Sequence, residues 1–133
     1  MFTLSEKTTE LCKKACADLG YDFDKMVAAY DAFPPKHAAS NIAYGLLCAC
    51  IEYFNKQKDP AWFPDYVKQN DKYYTWHRVK ATKEKPSGVG FADSDYCYDD
   101  AGALVAVRLM FCDVETEREA AEALDELYVI YKL

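Results

Sequence analysis

No run in the sequence approaches the roughly 18 apolar residues that a membrane span needs, and Met1-Phe2-Thr3-Leu4-Ser5-Glu6 lacks the charged region and apolar run of a secretion signal. These two absences predict a soluble, cytoplasmic protein with no membrane partner. Basic residues are also scarce, with 16 Lys and Arg against 22 Asp and Glu and a net charge of −6. The shortfall is uneven: residues 1–70 hold eight basic against nine acidic residues (−1), and residues 71–133 hold eight against thirteen (−5). An acidic surface with no basic patch repels phosphate backbones, so single-stranded nucleic-acid binding is the weakest of the functions weighed. There is no internal repeat, low-complexity tract or linker, which predicts one domain over 1–133, with a helical part at 1–57 and a sheet with a final helix at 72–133.

What is present is an apolar fraction of 51% and an aromatic fraction of 15%, which exclude a disordered chain. A domain of 133 residues buries about two-thirds of its unfolded surface, enough for a core without staples. Eleven tyrosines stand out, because tyrosine suits half-exposed sheets and interfaces. Six cysteines (Cys12, Cys16, Cys48, Cys50, Cys97, Cys112) in a chain showing no export signal are expected as free, mostly buried thiols.

Apolar spacing predicts a helix over Leu4 to Leu19, with a Thr3 and Glu6 capping box and a stop at Gly20. A second segment, Lys25 to Ala32, is capped by Asp22 or Asp24 and ended by Pro34-Pro35. The longest helix spans 36–56, apolar around much of its girth and therefore central. A loop from Lys58 to Asp71 follows, with Trp62, Phe63 and Tyr66 folding back as a plug. Strands are predicted over Lys72 to Lys80, around Val89 to Phe91 with a resumption at Tyr96 to Tyr98, and over Leu104 to Cys112. A last helix begins at Asp113 or Thr116, with Glu115, Glu117 and Glu119 near its start. The expected fold is α+β: N-terminal helices, a three-stranded antiparallel meander and a C-terminal helix on one face of the sheet.

Four constellations bear on chemistry. Cys12 and Cys16 share a helical face and could hold zinc if His37 or His77 came near, but Cys48 and Cys50 diverge by about 200° on theirs and cannot both face one ion, so buried apolar cysteines are the expectation. Asp93, Asp95, Asp99 and Asp100 read as a solvated acidic loop, lacking the glycine and terminal glutamate of a calcium-binding loop. No metal or other cofactor is expected. His77 between Trp76 and Arg78 lacks the nucleophile and orienting group that a catalytic reading needs, so no catalytic residue is assigned. Tyr74, Trp76, Arg78, Phe91, Tyr96 and Tyr98 make a candidate surface for a protein partner, a second copy of the chain included.

The order Lys72-Tyr73-Tyr74-x-Trp76, Gly88-x-Gly90-Phe91, Val107-Arg108-Leu109-Met110-Phe111-Cys112 and Glu117 through Leu127-Tyr128 resembles a group of short proteins encoded by phages, prophages and mobile elements of gut bacteria. The group's pattern is a KYYPWF-like strand, a GFGFS-like segment, a GSRLCFK-like strand and a final helix. This chain departs from it at Thr75, His77 and Ala106-Val107. The resemblance covers about the last 60 residues and implies a setting, without an activity. The expectation is a non-enzymatic accessory protein that binds another protein, in the virion or against a host system. The alternative is a small ligand- or metal-binding protein or enzyme using His77, Arg78 and Arg108 beside the acidic loop.

Overall fold

The computed structural model describes residues 1–62, 72–78, 90–97 and 109–132, with side chains for 1–62, Tyr73 and 109–132. Helix α1 (Glu6–Leu19) is capped by Ser5, whose hydroxyl accepts from the Thr8 amide at 3.3 Å, two residues beyond the expected Thr3 cap. It stops at Gly20, where φ is +77°, a conformation that a residue with a Cβ adopts at a cost. Helix α2 (Phe23–Ala28) is capped by Asp22 and tightens into a 3-10 turn at Ala29–Ala32. Pro34 and Pro35 then do two things: the pair ends that turn, and Pro35 opens α3 (Pro35–Lys58), where its missing N–H costs nothing.

Helix α3 is the axis of the molecule. Ile42, Ala43, Leu46, Leu47, Cys50 and Ile51 are buried around it, and α1, α2 and the C-terminal helices all pack on it. Its apolar girth reflects this: a helix covered on several sides needs no single polar face. Among the described residues no helix is long and apolar enough to cross a membrane.

The α+β expectation is corrected by this structure. The described residues are mostly helical, with five α-helices, and they do not form a three-stranded meander. Their strands are a lone antiparallel hairpin, β1 (Lys72–Arg78) and β2 (Gly90–Cys97). The register pairs Tyr74 with Asp95 and Trp76 with Asp93, then slips by one residue so that His77 meets Phe91 and Ala92 bulges. Asp93 and Asp95 therefore belong to a strand, where a loop was expected; Asp99 and Asp100 lie outside the described residues.

Of the expected third strand, Leu104 to Cys112, the part from Leu109 onward is described. Among its described residues Phe111 alone pairs, exchanging two backbone hydrogen bonds with Tyr73 at 3.0 and 2.7 Å. Leu109, Met110 and Phe111 are all buried in succession. Alternating hydrophobicity predicted one buried face, whereas consecutive burial means that this segment is enclosed on both sides.

The expected last helix is two. Asp113 caps α4 (Val114–Ala123) through a 2.7 Å bond from the Thr116 amide, and the chain bends at Leu124 before α5 (Asp125–Lys132). The bend lets Leu124, Leu127 and Tyr128 reach the core beside α3. Tyr131 lies against Tyr44 with ring centres 5.4 Å apart, and its carbonyl accepts from the Ser40 hydroxyl at 2.9 Å.

Candidate functional site

The site is built on Gly20. Its left-handed turn swings the chain from α1 into Tyr21 and Asp22, which then caps α2. This corner overhangs the middle of α3 and leaves a cleft of about 770 Å³ bounded by Tyr21, Met26, Gly45, Glu52, Trp62 and Met110. The floor is apolar. Gly45 has no side chain to fill it, and a Cβ there would sit 3.5 Å from the methyl of Met26, an ordinary contact.

The rim is polar. Tyr21 donates its hydroxyl to Glu52 at 2.5 Å, and Glu52 also pairs with Lys56 at 3.3 Å. Cys48, half-buried, lines the wall. Cys48 and Cys50 do point to different places, Cys48 to the cleft and Cys50 to the core.

At the inner end stands Asn55, 4% exposed. Its amide nitrogen donates to the Met110 carbonyl at 3.0 Å, and its amide oxygen accepts from the Cys112 N–H at 2.9 Å. Both polar atoms of one buried side chain are thus used to hold the Met110–Cys112 backbone against α3, which fixes Met110 as the end wall of the cleft.

The sequence-predicted surface lies elsewhere. Tyr74, Trp76 and Arg78 stand on β1 and Phe91 and Tyr96 on β2, with Phe91 across from His77 and Tyr96 across from Tyr73. Tyr98 and Arg108 lie outside the described residues. Tyr73 packs, half-buried, against the core. His37 is exposed in the first turn of α3, and among the described residues no three His, Cys, Asp or Glu side chains gather as a metal-holding group.

Sequence reasoning missed the cleft. Two signals pointed to it: a glycine in the middle of a long helix, and a thiol at 48 that falls off the stripe made by Leu46, Leu47 and Cys50. Two carboxylates outside the cleft are shifted. Burial pushes Asp113 up, but the Thr116 hydroxyl and amide and the Lys58 ammonium outweigh it and hold the carboxyl below its ordinary value. Burial likewise opposes the lowering of Glu126, which bonds from the Ser5 hydroxyl, the Thr8 hydroxyl and the Ser5 amide bring about.

No protein-family model matches the chain, and neither a curated protein nor a solved structure is significantly similar to it.

Proposed function

We propose that the protein is a non-enzymatic binding protein whose cleft over α3 receives an apolar segment of a partner protein. The observation that carries this reading is the composition of the cleft: Tyr21, Trp62, Met26 and Met110 surround an apolar floor, and a hydrogen-bonded Tyr21–Glu52 pair edges it. Tyr, Trp and Met are the residue types enriched where proteins bind one another, and an apolar centre with a polar rim is the usual anatomy of such contacts. Tyr21 is 45% exposed and Phe33 37%, so two large aromatic rings stand in water on this half of the chain. The setting implied by the resemblance, an accessory protein of a phage or mobile element working in a host cell or virion, agrees with a role in binding.

The test fills the floor. Gly45→Leu places a branched side chain into the cleft, while Gly45→Ala leaves it open. Proteins cross-linked to the wild type and to the Gly45→Ala variant in host lysate, but lost from the Gly45→Leu variant with its circular dichroism unchanged, support the reading. Identical capture by all three overturns it. The cleft volume also falls within the range of small-molecule sites, about 300–1,000 Å³, which favours an apolar small ligand as the second reading. Thermal stabilisation of the wild type by such a ligand, abolished in the Gly45→Leu variant, distinguishes that case.

A further inference from the structure

Helix α1 carries two thiols one turn apart, and each meets another sulfur. Cys16 Sγ lies 4.0 Å from the thioether of Met26, and Cys12 Sγ lies 3.8 Å from Cys50 Sγ on α3. Cys12 and Cys50 are both 0% exposed. A disulfide has its sulfurs about 2.05 Å apart, so this pair is roughly 1.8 Å of sulfur movement from a bond. The two thiols are not equivalent. The Cys50 S–H donates to Cys12, which lowers Cys12 against the opposing effect of burial, and the same bond together with burial raises Cys50. One partner is thus set to lose its proton first, as a nucleophilic thiol must.

We propose that Cys12 and Cys50 are a reversible redox staple, closed by hydrogen peroxide and opened by thiols, that fastens α1 to α3. The Cys12 thiolate attacks one peroxide oxygen, the O–O bond breaks, and Cys12 becomes a sulfenic acid as hydroxide leaves. The Cys50 sulfur then attacks the Cys12 sulfur, the S–O bond breaks, and water departs with the Cys50 proton. Two thiols and one peroxide become one disulfide and two waters. Because both sulfurs are buried, the reaction waits on local opening of α1, and the half-buried Cys48 and Cys112 react before this pair with any bulky thiol reagent. The staple stands or falls separately from binding in the cleft, since neither sulfur lines it.

The experiment treats the full-length protein with hydrogen peroxide, blocks remaining thiols after denaturation, and maps peptides by mass without reduction. A Cys12–Cys50 linked peptide is expected, together with a melting temperature raised by about 5–10 °C that dithiothreitol reverses. A Cys48→Ala variant is expected to behave identically. Recovery of Cys12 and Cys50 as separately blocked or over-oxidised residues overturns the proposal. So does a cross-link that leaves the melting temperature where it was.

Discussion

Helix α3 and the segment Met110–Asp113 pack against one another, yet they are held by different means. The helix is surrounded by apolar side chains from α1, α5 and the segment itself, so its position rests on many interchangeable contacts. The segment is held by a few directed ones: the two hydrogen bonds from Asn55, the two with Tyr73, and the Asp113 cap. The difference teaches where each is fragile. Packing against a helix degrades by degrees as volume is removed, whereas two backbone groups that share one amide side chain lose their partner at once.

The largest expected loss is Phe111→Ala, which empties a fully buried ring site where both modes meet and should cost about 3–5 kcal/mol in urea unfolding. Asn55→Ala sharpens the comparison, because it leaves the buried Met110 carbonyl and the half-buried Cys112 amide without their partner. A cost of about 2–4 kcal/mol is expected, and a loss below about 1 kcal/mol would show that the segment is held by packing after all. Asp113→Ala removes the α4 cap for about 1 kcal/mol at neutral pH. Its folded-state pKa is depressed, so this contribution is present above the ordinary carboxylate range and lost as pH falls through the folded value; the wild type and the variant should converge in acid. Glu126 adds an acid-sensitive loss of the same sign. The smallest effect has the opposite sign: Gly45→Ala should stabilise by roughly 0.5–1 kcal/mol, since a helical glycine is replaced where a methyl finds ordinary contact distance.

Most of what is local was legible in the sequence. Gly20, the Pro34-Pro35 pair, the span of α3 and the Asp113 cap follow from short-range chemistry, and the structure has them. The first strand was also legible, ending in β1 at Arg78 within the described residues. What was lost depends on distance along the chain. Alternation in Leu104 to Cys112 says that two faces exist, and says nothing of Asn55 reaching it from 55 residues away. The Ser5 cap was displaced from Thr3 for a similar reason, because the Ser5 amide and hydroxyl also donate to Glu126 at 2.8 and 2.6 Å across 121 residues. The bend at Leu124 escaped notice because the apolar spacing runs through it without a break. The cleft was missed because it is an absence, a glycine where the stripe had no need of one.

The Asn55 clamp also ties two lifetimes together. Its amide meets Met110 and Cys112 from the last turns of α3, so fraying of those turns breaks both bonds to the segment. In hydrogen exchange, the Cys112 amide should open together with the C-terminal end of α3 as one cooperative unit, although 57 residues separate it from Asn55. One side chain thereby makes a distant stretch of chain share the lifetime of a helix.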